Sequence, residues 1–154
     1  MSQGQGPGQN LQAVSQQLQE LDQVQAQLQT QLQSAQALKQ EIAGAIEALE
    51  QLDTGSTVQV PLGGDAYVRA EIADIDEVIV DIGANYSVEQ SQDRAVDTLE
   101  EKRNQLDSDI ENLRENLQEV GENIQAVESQ AEQIQQQLYQ QQAQQMGGAG
   151  LGPE

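Results

Sequence analysis

The sequence predicts an α+β protein, mainly α, in which a long antiparallel coiled-coil hairpin carries two tandem β-hairpins between its helices. Apolar residues recur at steps of three and four from Leu11 to Leu49, and again from Val96 to Leu138, which is the heptad pattern of a coiled coil. Between these segments, residues 57–90 change to the period of two that is typical of strands. The chain contains no Phe or Trp, so a thick globular core is not expected.

The first helix is expected over residues 10–53, after a flexible arm of residues 1–9 rich in Gly, Gln, Ser and Pro. Its a positions are Leu11, Leu18, Gln25, Leu32, Lys39 and Ile46, and its d positions are Val14, Leu21, Leu28, Ala35, Ile42 and Leu49. Gln25 and Lys39 interrupt the apolar seam. Because Val24 and Leu38 directly precede them, the apolar stripe can rotate by one residue at those points. Gly55 suits the position just after the helix end.

Residues 54–90 form the predicted insert of four short strands. The alternating segment 57–62 and the segment 66–72 are joined by a Gly-Gly-Asp turn signal, and the segments 78–82 and 86–89 by Gly-Ala-Asn. Two hairpins in tandem follow from this arrangement. Four short strands leave unpaired edges and an apolar face, so the insert is expected to close on another copy or on a partner subunit.

The second helix is expected over residues 91–145, with Ser91 as a possible cap and residues 146–154 as a flexible tail. Its a positions are Val96, Arg103, Ile110, Leu117, Ile124, Ala131 and Leu138, and its d positions are Leu99, Leu106, Leu113, Val120, Val127 and Ile134. If Asp53 and Ser91 lie at the head, equal steps along both helices place Leu11 near residue 134. The chain termini are then expected together, at the end of the coiled coil away from the strands.

The net charge of −20, with 26 acidic residues against six Lys and Arg, disfavours a nucleic-acid partner and an anionic membrane surface. It suggests a salt-rich cytoplasm, because at molar salt the Debye length is about 3 Å and self-repulsion is screened. The chain has no His and no Cys, and we find no phosphate-binding loop or paired catalytic carboxylates. We therefore expect no enzyme activity, no cofactor and no metal site. No basic or apolar leader is visible at the N-terminus, so a cytoplasmic location is expected.

The tip of the predicted coiled coil is a candidate binding site. A seam that frays at its end leaves Leu and Ile side chains exposed, and an apolar patch with a polar rim can bind a partner. The opposite interpretation, that these residues only complete the intramolecular seam, has about equal weight. We define the tip set as Leu11, Val14, Leu18, Ile134, Leu138 and Tyr139.

The order helix, two hairpins, helix resembles the α-type subunits of archaeal prefoldin. The segment Val58-Gln-Val-Pro-Leu-Gly-Gly-Asp-Ala-Tyr-Val68 is similar to the V-P-L-G stretch in that family's first hairpin. The segment from Val78 to Tyr86, an aliphatic run followed by Asp-Ile-Gly and an aromatic residue, is similar to the second. Two hairpins rather than one indicate the α type. The Gln-rich helices and the strong acidity depart from the usual composition and fit a halophilic archaeon.

The resemblance implies a hexamer of two α-type and four β-type subunits whose hairpins form an oligomeric barrel. It also implies an ATP-independent holdase that binds unfolded protein at the coiled-coil tips, here the tip set, and passes it to a group II chaperonin. The residues expected to build the barrel are called the head set: Val58, Val60, Leu62, Val68, Val78, Val80, Ile82 and Val88. The alternative is a structural coiled-coil adaptor or spacer that docks one fixed, folded partner.

Overall fold

The computed structural model describes the backbone of residues 7–150 and the side chains of residues 8–144. Helix α1 spans Pro7–Gln51 and helix α2 spans Gln92–Gly150. Between them lie strands β1 (Thr57–Gly63), β2 (Ala66–Glu71), β3 (Val78–Gly83) and β4 (Tyr86–Gln90). The predicted fold class, two heptad-patterned helices that flank two β-hairpins, is confirmed.

The helices begin and end at different residues from those expected. Helix α1 starts at Pro7 rather than Asn10 and ends at Gln51 rather than Asp53. Proline favours a first helical turn, because its missing N–H is not needed there and its φ is already helical. Helix α2 continues through Gly147 and Gly148 to Gly150; a helix tolerates such glycines at a cost of about 1 kcal/mol each relative to Ala. Residues 1–6 and 151–154 of the expected arm and tail lie outside the described residues.

Side-chain burial follows the heptads without a break in either helix. Every a and d position named above is buried or half-buried, and the most buried seam residues are Val14, Ile42, Ile46, Ile110 and Val127. Such a narrow stripe of Leu, Ile and Val is sufficient for a two-helix seam, because each side chain inserts between residues of the facing helix. This seam needs no aromatic core residues, and the chain contains no Phe or Trp.

The sequence leaves the register of the apolar stripe open at Gln25 and Lys39, and the structure shows no rotation there. Both polar residues are half-buried in the a positions, whereas Val24 is 42% and Leu38 46% exposed. The physical reason is that Gln and Lys can bury their methylene stems while their polar ends reach water. Lys39 does so with its ammonium group paired to the Asp107 carboxylate of α2.

The chain forms two compact units, of which the first contains α1 up to Leu32 and α2 from Asn112, and the second contains residues 33–111. In the second unit the helices are antiparallel: residues near the end of α1 lie beside the start of α2, and Lys39 further back pairs with Asp107 further on. The strands of this unit form two separate antiparallel sheets, β1–β2 and β3–β4.

Candidate functional site

Hydrogen bonds at the junction of helices and strands hold the ends of both helices. The side-chain amide nitrogen of Gln92 donates to the carbonyl oxygens of Leu49 and Leu52, the latter at 2.8 Å. These bonds satisfy carbonyls that a helix end leaves without partners. Ser91 caps α2 as expected, with its hydroxyl accepting from the Arg94 N–H at 3.4 Å. Gly55, expected just after α1, instead lies in a turn further on with a φ of 90°.

In the acidic turn at residues 74–77, carboxylate oxygens accept hydrogen bonds from backbone N–H groups. One carboxylate oxygen of Asp74 accepts the N–H of Asp76 at 3.0 Å, and one of Asp76 accepts the N–H of Gln92 at 3.2 Å. The turn is therefore tied to the first residue of α2. Among the described residues, no group of three or more His, Cys, Asp or Glu side chains could hold a metal ion.

The two hairpins have the same internal construction. Val60 pairs with Val68 in the first sheet as Val80 pairs with Val88 in the second. In each hairpin the strand pairing shifts one residue before the end of the first strand, at Leu62 in β1 and at Ile82 in β3. Both loops contain two residues with positive φ: 60° and 62° at Gly64 and Asp65, 51° and 65° at Ala84 and Asn85. Positive φ at both central residues is characteristic of type I′ turns, which match the twist of the strands. Ala84 is the unfavourable residue of the four, because its Cβ opposes this conformation.

Hairpin β3–β4 packs against the coiled coil of its own chain. Val80 is only 5% exposed, and the Lys102 ammonium of α2 donates to the carbonyl oxygen of Asp81. Ile82 lines a groove of about 370 Å³ together with Leu38 of α1 and Leu99 of α2. Leu38, exposed outside the seam, therefore faces this hairpin.

The head set is divided between buried and exposed positions. Val80 is buried and Val58, Val78 and Val88 are half-buried. The other four members are exposed by 40–68%: Val60, Leu62, Val68 and Ile82. Three further exposed apolar side chains were missed by the sequence analysis: Tyr67, Ile79 and Tyr86, at 61%, 76% and 69%. The two tyrosines were a usable signal, because they are two of only three aromatic residues in the chain. Residues 60–86 of the insert therefore contain seven apolar side chains that are at least 40% exposed.

The tip set is mostly enclosed in the seam. Val14 is 8% exposed, and Leu11, Leu18, Ile134 and Leu138 are half-buried. Tyr139 differs, with 76% of its surface exposed. It lines a shallow groove on one face of α2 together with Glu132, Gln135, Gln136 and Gln140. The structure thus brings Tyr139 beside glutamine side chains rather than beside an open apolar seam.

Among the described residues, neither helix has a stretch that is both apolar and long enough to span a membrane.

The fold defines a class of protein, a coiled-coil subunit with a β-hairpin head. Its two helices have a seven-residue periodicity, and the two short hairpins that join them have exposed apolar side chains. The prefoldin subunit family model matches residues 14–137, most of the chain. The chain belongs to the prefoldin subunit family.

Two curated relatives named prefoldin subunit alpha, from Halorubrum lacusprofundi and Haloarcula marismortui, are each 63% identical over 75 residues. That match covers 49% of this chain and 49% of each relative, so the chain spans about half the length of the curated relatives it matches. A third, from Thermofilum pendens, is 38% identical over 94 residues, 59% of this chain and 73% of the relative. These matches confirm the resemblance to archaeal α-type subunits. The two relatives that are 63% identical come from halophiles.

A solved structure supports the fold independently of those relatives. It is a cryo-EM structure of filamentous PFD from Methanocaldococcus jannaschii, with a TM-score of 0.50 and 24% sequence identity. The similarity covers 77% of this chain and 95% of that chain. At this identity the likeness concerns the fold alone.

Proposed function

We propose that this chain is the α-type subunit of an ATP-independent chaperone that captures unfolded proteins and delivers them to a group II chaperonin. In this proposal two copies assemble with four β-type subunits, and the complex acts in the cytoplasm. Membership of the prefoldin subunit family supports the chaperone class. The observation that carries the assembly is the exposure of apolar side chains on the two hairpins, from Leu62 at 68% to Ile79 at 76%.

The head set and its neighbours are the proposed assembly surface. Each sheet has only two strands, and a two-stranded sheet is at best marginally stable alone. Unpaired strand edges and large exposed apolar residues both favour further strands from neighbouring subunits. Burying Leu62, Tyr67 and Ile79 in a barrel would remove from water the surface that the isolated chain exposes.

The tip is the proposed client-binding site. Tyr139 is the member of the tip set that can contact a client without opening the seam. The other five members, led by Val14, would contribute only where the seam separates. Weak contacts at several tips of one complex add through their effective concentration, which suits a client that is held and later released.

A two-part experiment tests this function. Deleting residues 1–18 and 134–154 removes the tip set, and Leu62→Asp places a charge on the assembly surface. With β-type subunits present, we expect the tip deletion to retain the full-size complex in native mass spectrometry. It should lose most of its suppression of the aggregation of denatured citrate synthase without ATP. Leu62→Asp should reduce the fraction of assembled complex.

Two results would contradict the proposal. Undiminished suppression by the tip deletion would refute the tip as the binding site. Failure of the intact complex to suppress aggregation would favour the adaptor that docks one folded partner. If the complex suppresses aggregation but does not release its client to an added group II chaperonin, the delivery step alone is refuted. Val14 is only 8% exposed, so the seam at the tip is closed. A closed seam offers a client few apolar side chains, and this is why the adaptor alternative is tested.

A further inference from the structure

The two β-hairpins are an internal repeat with a constant offset of 20 residues. Val60 pairs with Val68 in the first hairpin, and Val80 pairs with Val88 in the second. The loops correspond as well, because each opens with a glycine of positive φ, at 96° in the first hairpin and at 101° in the second. Corresponding positions can therefore be compared one by one, and the backbone does not impose the differences between their side chains.

The apolar faces of the two hairpins are alike in sequence and differ in what covers them. Residues two positions apart on a strand share a face of the sheet. The apolar face of the first hairpin carries Val58, Val60, Leu62 and Val68, and that of the second carries Val78, Val80, Ile82 and Val88. The second apolar face already packs against the coiled coil of its own chain, where Val80 is 5% exposed. Hairpin β3–β4 therefore presents mainly its opposite face to other molecules.

The opposite faces, here called the outer faces, differ in chemistry at every corresponding central position. The first outer face carries Gln59, Pro61, Tyr67 and Arg69, and the second carries Ile79, Asp81, Ser87 and Glu89. All eight side chains are exposed. Arg69 is the only Lys or Arg between residues 40 and 93, and it forms no ion pair with any described residue. One outer face thus combines an aromatic ring with a cation, and the other combines an aliphatic side chain with carboxylates.

These two outer faces are complementary, but they do not meet within one chain. The strands of the first hairpin make no contact with those of the second, and the hairpins form separate sheets. A second copy carries both faces, so two copies can form the same contact twice around a two-fold axis. A contact between like hairpins would instead bring Arg69 against Arg69, or Glu89 against Glu89, and like charges at an interface are unfavourable.

We propose that the outer face of hairpin β1–β2 binds the outer face of hairpin β3–β4 of a second copy of this chain. Arg69 pairs with Glu89 across the contact, and the ring of Tyr67 covers Ile79. The apolar pair removes from water two side chains that are 61% and 76% exposed, and the ion pair selects unlike hairpins over like ones. This inference rests on the proposed function, in which two copies share one complex, and adds which of their surfaces meet.

A charge swap tests the ion pair in the complete complex with β-type subunits. Native mass spectrometry, at one KCl concentration for all variants because salt screens charge pairs, gives the protein concentration at which half of the chain is assembled. Arg69→Glu and Glu89→Arg should each raise this concentration about tenfold, since each places like charges at the contact. The double variant should return to within about twofold of the unmodified chain, because it restores the pair with opposite polarity. The matched control is Arg114→Glu, at an exposed arginine of α2, which should assemble as the unmodified chain does.

Cysteine cross-linking identifies which hairpins meet, because the chain contains no Cys of its own. Copies with Tyr67→Cys and copies with Ile79→Cys are mixed, assembled with cysteine-free β-type subunits and oxidised. Disulfides between positions 67 and 79 should exceed those between like positions. Single charge variants that assemble normally, a double variant no better than either single one, or disulfides chiefly between like positions overturn the inference. The proposed function stands in those cases if the complex with β-type subunits still forms and suppresses aggregation; it fails if the unmodified chain forms no such complex.

Discussion

The unbroken seam through Gln25 predicts that replacing this residue with leucine stabilises the coiled coil. Gln25 is half-buried in an a position. Full burial of a leucine side chain is worth about 1.5–3 kcal/mol, so half-burial should contribute about 1 kcal/mol. For a chain of this size, that change should raise the melting temperature by roughly 2–4 °C.

Thermal unfolding of the full chain in multimolar KCl, followed by far-UV circular dichroism, measures this shift. Two control variants show how large a change in stability an exposed position and a buried seam position produce. Val24→Ala should change the stability by less than about 0.5 kcal/mol, because Val24 is 42% exposed and alanine has the higher helix propensity. Ile46→Ala, at a position only 6% exposed, should cost about 2–5 kcal/mol. A lower melting temperature for Gln25→Leu, or a cost for Val24→Ala close to that for Ile46→Ala, would refute the seam as described.

Three further predictions concern the hairpins and the charge. Ala84→Gly should stabilise the chain by about 0.5 kcal/mol in urea unfolding and Gly64→Ala should destabilise it by about 1 kcal/mol, because both positions have positive φ; effects of the same sign would contradict this. Lys102→Met should speed amide hydrogen exchange in residues 81–86 by releasing the Asp81 carbonyl, whereas Lys39→Met should not; unchanged exchange would show that Lys102 does not anchor the hairpin. Lowering KCl from multimolar to millimolar should reduce the melting temperature, since the net charge of −20 is then poorly screened; equal melting temperatures would count against it.

The parts of the fold that repeat could be predicted from the sequence. Heptads identify both helices because each a and d side chain must face the partner helix. The period-two segments and the glycine-containing turns likewise identify the four strands. Each of these signals is local, and the structure retains each one.

The parts that depend on long side chains or on packing between elements could not be predicted. In the heptad pattern Gln25 and Lys39 interrupt the apolar seam, although their flexible stems fit it. Nothing in the sequence indicated that Gln92 would hold the end of α1, or that Lys102 would hold hairpin β3–β4, because both bonds join residues at least 21 positions apart. The exposure of Tyr139 also depends on where the helix face turns away from the seam.

The central claim is that the tip contacts unfolded protein and the hairpin head contacts neighbouring subunits. Tyr139 and Ile79 allow a matched comparison, because both side chains are 76% exposed. Each is replaced in turn by the photoreactive residue p-benzoylphenylalanine, and the assembled complex is irradiated with denatured citrate synthase. Cross-links to the client from position 139 and to another subunit from position 79 are the predicted result. Client cross-links from position 79 with none from position 139 would contradict the account.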